Sequence, residues 1–133
     1  MKFLVIGDTC SDRFCYGNAS RLCPEAPVPV FVPEKRRDSL GMATNVCKNL
    51  EAINKKTNKN LPARHKIDIC TNTPCGHKTR YIDKASNQMF LRIDTDSYGA
   101  CPKLPDNIED YDAVIASDYN KGFLSDKDLA EIA

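Results

Sequence analysis

The sequence predicts an α/β fold with a mostly parallel sheet, helices and a small β-lid. Three observations predict it. Two short β-branched apolar runs, Lys2 to Gly7 and Asp112 to Ser117, read as buried strands and lead directly into Asp8 and Asp118. A stretch of helical period follows Gly41. Between the two runs lie a proline-alternating ribbon and a hairpin pattern, which suit a lid better than a core.

Each element has its own warrant. Val28-Pro29-Val30-Phe31-Val32-Pro33 cannot be a central strand, because proline donates nothing to a ladder; it reads as an edge strand or ribbon. The charge run Glu34 to Asp38 reads as a solvated segment. Met42 to Ile53 reads as a helix with Ala43, Val46, Leu50 and Ile53 on one face. Asn54 to Pro62 has no apolar period and reads as a polar loop. Ile67 to Cys70 is a short strand. Arg80 to Asp83 and Met89 to Asp94 form a hairpin about the turn Lys84-Ala85-Ser86-Asn87. Cys101 to Asn107 is a proline-containing connector. Ser125 is an N-cap with Asp128 at the third helical position, so a helix runs from there to Ala133.

Composition bounds the function. A chain of 133 residues is one domain by prior, and 41% hydrophobic with 28% charged residues is ordinary for a globular protein. The formal net charge of +1 gives no reason to propose nucleic acid or an acidic membrane as partner. The apolar run Phe3 to Ile6 is too short for a signal segment or a membrane span, which places the chain in the cytoplasm. The seven cysteines are an odd number without an export signal, so reduced thiols are expected. Cys70, Cys75 and His77 invite a zinc reading, but the spacing is loose and no second ligand pair follows; small apolar filler is the preferred reading.

In open α/β sheets, ligands bind beyond the carboxyl ends of strands. Asp8 and Asp12 follow the first strand, Asp118 and Lys121 the last, and Gly41 opens a helix whose first amides are unpaired. If these ends gather at one rim, they make a pocket rich in acceptors with one cation, suited to a polyol or sugar phosphate. Singly, each has a plainer explanation. Asp8 and Asp118 can cap turns, Asp12 and Arg13 can be a surface pair, Asn45 can be solvated, Lys121-Gly122 can be a turn, and Gly41 can be there for a positive φ.

Five segments in order resemble the ribokinase-like (PfkB) carbohydrate kinases, and among them the heptose-7-phosphate kinases. They are Gly7-Asp8-Thr9-Cys10-Ser11-Asp12-Arg13, Ser20 to Val30 with its Pro-Glu-Ala-Pro-Val-Pro-Val, Gly41-Met42-Ala43-Thr44-Asn45, Asn87 to Asp94, and Ser117-Asp118-Tyr119-Asn120-Lys121-Gly122. The resemblance implies a single partial ribokinase-like domain over 1–133, with a lid of about 13–37 and 78–95. It implies sugar-hydroxyl contacts from Asp12, Gly41 and Asn45. Arg92 and Lys121 are its candidates for the sugar's phosphate, with Asp118 also at the substrate site. It implies ATP-dependent phosphoryl transfer with magnesium, a sugar-phosphate substrate, and pairing either with a second copy through the lid or with a complementing C-terminal half.

Three departures stand out. Met42 replaces the second glycine of the helix start. The connection from Ile53 to Ile67 lacks a strand and helix found in relatives. The Gly-Ala-Gly-Asp and Asn-x-x-Glu segments, which serve the anion hole, base and metal, are not in these residues, and no Gly-x-x-x-x-Gly-Lys loop replaces them. The expectation is a truncated ribokinase-like domain that supplies the sugar side of a kinase, with binding of ATP and magnesium by this chain alone disfavoured. The alternatives are a non-catalytic sugar-phosphate-binding or subunit-pairing module, and a degenerate remnant.

Overall fold

A computed structural model describes residues 1–57, 65–73, 75–96, 99–101 and 104–133. The expected polar loop therefore lies partly outside the described residues, at 58–62, as does the proline-containing connector at 102–103. The chain divides into two compact units. The first comprises Met1–Cys10, Leu40–Cys75 and Ser97–Ala133; the second comprises Ser11–Ser39 and Gly76–Asp96.

The first unit is built on β1 (Lys2–Gly7), flanked in parallel by β4 (Lys66–Thr71) and β7 (Ala113–Ser117) in the order β4-β1-β7. Leu4, Val5 and Ile6 are all fully buried, as a central parallel strand covered on both faces requires. Alternation sends them to opposite faces. Leu4 and Ile6 pack with Leu104, Phe123 and Leu124; Val5 packs with Ala43 and Cys47. α1 (Ala43–Thr57) brings the second cluster, while Leu129 and Ile132 of α2 (Asp126–Ile132) lie against the first. The sheet thus carries a helix on each face. The fold is α/β with a parallel sheet, as the sequence predicts.

The cap of α2 is the one expected. The Ser125 hydroxyl accepts from the Asp128 amide while the Asp128 carboxylate accepts from the Ser125 amide, a reciprocal capping box. α1 differs from expectation in two ways. It runs on to Thr57, and its inner face is Ala43, Val46, Cys47, Leu50 and Asn54, while Ile53 is 62% exposed. At 100° per residue the azimuth of Ala43 returns at Asn54, not at Ile53. Asn54 is buried there and its side-chain amide donates to the His65 carbonyl at 2.9 Å.

The second unit holds most of a sheet in the order β3-β2-β5-β6. β2 spans Thr9–Leu22, β3 Pro29–Met42, β5 Gly76–Asp83 and β6 Met89–Thr95. The sequence pattern does not predict the long strand β2. The proline-bearing β3 is an edge strand, and the charge run Glu34 to Asp38 is exposed but lies within it. β5 and β6 form the expected antiparallel hairpin. Asp83 accepts from both the amide and hydroxyl of Ser86, which holds its carboxyl below the usual range, and Asn87 takes a left-handed φ of 57°. At Gly17, β2 comes so close to β3 that a Cβ would stand 2.3 Å from the Val32 carbonyl oxygen.

Candidate functional site

The carboxyl edge of the first unit gathers three chain segments. Gly7 pairs in register with Thr71 on one side and Ser117 on the other, so Asp8, Asn72 and Asp118 leave the sheet together. The Ala43 amide, at the start of α1, donates to the Asp8 carbonyl at 3.0 Å and brings the helix end to the same edge. Thr9 ties the arrangement: its amide donates to Asn72 Oδ1 at 2.6 Å, and its hydroxyl lies 3.2 Å from the Gly41 carbonyl and 2.6 Å from the Thr44 hydroxyl.

Asp8 itself is fully buried. Its Oδ2 accepts from the amides of Tyr119 (2.8 Å) and Lys121 (3.4 Å), while Oδ1 has no partner among the described residues. Asp118 is exposed and its Oδ1 accepts from the Asn120 amide at 2.8 Å, an Asx turn within its own loop. Asn45 and Lys121 are exposed on the first turn of α1 and on that loop. The left-handed residue at the helix start is Met42, with φ 56°, and not Gly41. Met42 is also buried, so a full side chain is held in the left-handed conformation, at a conformational cost of about 1 kcal/mol.

Asp12 and Arg92 belong to the second unit. Asp12 accepts from Arg80 Nη1 at 2.6 Å, with both side chains about four-fifths buried, and the Arg80 guanidinium lies over the Phe14 ring. Arg92 sits opposite Arg80 in the hairpin register and forks onto Asp94, whose carboxyl it holds below the usual range. A second pair, Arg13 Nη2 and His77 Nε2, stands at 3.4 Å; Arg13 Nε and His77 Nδ1 are buried without partners among the described residues.

Sequence reasoning misses Arg80, Thr9 and Asn72. Arg80 sits in Thr79-Arg80-Tyr81, which carries no local signal, and only the pairing of β5 with β2 brings it to Asp12. Among the described residues no three His, Cys, Asp or Glu side chains are grouped to hold a metal ion.

No protein-family model matches the chain. It is 35% identical to the bifunctional protein HldE of Helicobacter pylori strain J99, over 92% of this chain and 32% of that protein. It is 32% identical to the bifunctional protein HldE of Histophilus somni, over 94% of this chain and 31% of that one. The chain spans about a third of the length of the curated relatives it matches. Among solved structures, a carbohydrate kinase from Agrobacterium tumefaciens matches with a TM-score of 0.53 at 13% identity, covering 86% of this chain and 44% of that one.

Proposed function

We propose, from the premise that this chain is ribokinase-like in fold and related in sequence to the HldE proteins, that it is the sugar-binding part of a carbohydrate kinase. Its substrate would be a sugar phosphate of the heptose-7-phosphate kind, and the reaction it serves is transfer of the ATP γ-phosphate to a sugar hydroxyl. The observation that carries the reading is the carboxyl edge of the first unit, where Asp8, Asn72, Asp118 and the start of α1 leave the sheet together. Hydroxyl-bearing ligands are met at such edges by acceptors and free helix amides.

In this reading the first unit contributes Gly41 and Asn45 to sugar hydroxyls, with Asp118 at the same substrate site, and Lys121 to the phosphate. Asp12 as a hydroxyl contact and Arg92 as a phosphate contact are further proposals of the same reading. Residence in the cytoplasm, where thiols stay reduced, belongs to the same reading.

Calorimetry tests it. Heptose 7-phosphate should bind the chain, and Asp12→Ala should weaken that binding at least about tenfold, the loss expected for a charge-assisted hydrogen bond. Normal binding by Asp12→Ala would refute the assignment. ATP binding by the chain alone would show that it holds more of the kinase than the sugar side.

A second reading, a subunit-pairing module, is favoured by one feature. Val28, Pro29, Phe31, Pro33, Tyr81, Phe90 and Leu91 line an apolar groove of about 570 Å³ on the second unit. A second copy of the chain is the proposed occupant, and Leu91→Ser with Phe31→Ser should shift the sedimentation of any dimer to monomer.

A further inference from the structure

We propose that Asp8 is the positioning residue of the Ser117–Gly122 loop, and through it of Lys121. The functional half of this inference rests on the reading above that Lys121 meets a substrate phosphate.

Asp8 ends one strand, yet its carboxylate serves the loop that follows another, 111 residues later in sequence. The amides of Tyr119 and Lys121 converge on the single oxygen Oδ2. They can converge because Asn120 between them is left-handed, at φ 53°. Successive amides bent by such a residue form a concave nest for an anion, and here the anion is a side chain of the protein.

The arrangement is costly for the fold. A buried carboxylate with one unpartnered oxygen forfeits hydration that two amides only partly replace. A serine or asparagine would cap one amide more cheaply. The charged group is explained by what it does to the loop: it holds two amides at once from a fixed point. That point is fixed because β1 and β7 are in closest approach immediately before it. A Cβ on Gly7 would stand 2.1 Å from the Ser117 carbonyl oxygen. Asp118 binds the Asn120 amide, so the loop has its own clamp on the residue between the two that Asp8 holds. With the amides on either side of Asn120 fixed, the direction in which the chain presents Lys121 is set by Asp8.

The test has one arm that needs no ligand. In the wild-type chain, the Tyr119 and Lys121 amides should exchange with solvent as slowly as those of β7. In Asp8→Asn, which keeps the shape and removes the charge, they should exchange about tenfold faster while β7 is unchanged, since a charge-assisted bond becomes a neutral one. Fast exchange at both amides in the wild type, or no selective change in Asp8→Asn, overturns the positioning role. The second arm is a double-mutant cycle with heptose 7-phosphate and unphosphorylated heptose as probes. Asp8→Asn should weaken the phosphorylated sugar several-fold and leave the other unchanged, and Asp8→Asn with Lys121→Ala should be no worse than Lys121→Ala alone. Additive losses, or equal losses for both sugars, overturn the link to Lys121. If the wild type binds neither sugar, the sugar reading falls, and the exchange arm still decides what Asp8 does.

Discussion

The two units are stabilised by different means. The first has two buried clusters, one on each face of β1, and nearly all of the buried apolar side chains among the described residues. The second contributes only Ile82 to that set, and exposes Leu22, Val28, Val32, Met89, Leu91 and Ile93. In place of a core it has the Arg80–Asp12 pair between strands, the Lys84–Glu34 pair from the hairpin turn to β3, and an aromatic trio in which Phe31 meets Tyr81 and Phe90 edge-on. A sheet with apolar residues on a face and little above them is made to be covered. The contrast teaches that stability and recognition are divided along the chain: one unit holds itself together, the other keeps its apolar surface available.

The largest expected effect breaks that contrast if it fails. Phe123 is 1% exposed at the centre of the first cluster, so Phe123→Ala should cost about 3–5 kcal/mol in denaturant unfolding. Phe31→Ala in the second unit should cost about 1–2 kcal/mol, because its ring is only partly buried and gives up edge contacts only. Equal losses would mean that the second unit has a core of its own.

A glycine sharpens the same comparison. Gly17→Ala drives a methyl group into the Val32 carbonyl and the Phe31 ring, at 2.3 Å and 2.5 Å. The strands must part, at a cost on the order of 2 kcal/mol. Amide exchange should speed up in β2 and β3 while β1 and β7 keep their protection. Loss of protection in both units together would show that they unfold as one.

Legibility in the sequence follows the same division. β1 and α2 can be read directly, because a buried strand is a continuous apolar run and a capping box is local; β7 is legible as a strand but not in its burial, since it is an edge strand and none of its residues is buried. β2 cannot. Ser11, Asp12, Arg13, Asn18, Ser20 and Arg21 give it no alternation, and the group that steadies Asp12 comes from β5, 68 residues away. Ile53 misleads because it lies ten residues beyond Ala43, whereas the helix returns near the same azimuth at the seventh and the eleventh, Leu50 and Asn54. At the candidate site, Asp8 is visible as a strand-end acid, but its partners on the far loop are not. Long-range hydrogen bonds leave no periodic trace in a chain, whereas burial does.

The smallest effect concerns Cys70, which packs beside Cys101 against the first cluster. Burial, and then the neighbouring Cys101, push its thiol up to about 11. In the unfolded chain it ionises near the ordinary value of 9.0. Between those two values the unfolded state has released a proton that the folded state keeps, so stability falls as pH rises. The contribution is full below pH 9 and is lost through pH 11. Because the side chain is partly exposed, solvent screening reduces it to about 1 kcal/mol. Under reducing conditions, Cys70→Ala should therefore be less stable than the wild type at pH 7, by its lost packing, and the gap should narrow from pH 9 to pH 11. A gap that stays constant over that range would mean that Cys70 is as well solvated as a thiol on the second unit's open sheet, and that the first unit's seal ends short of β4.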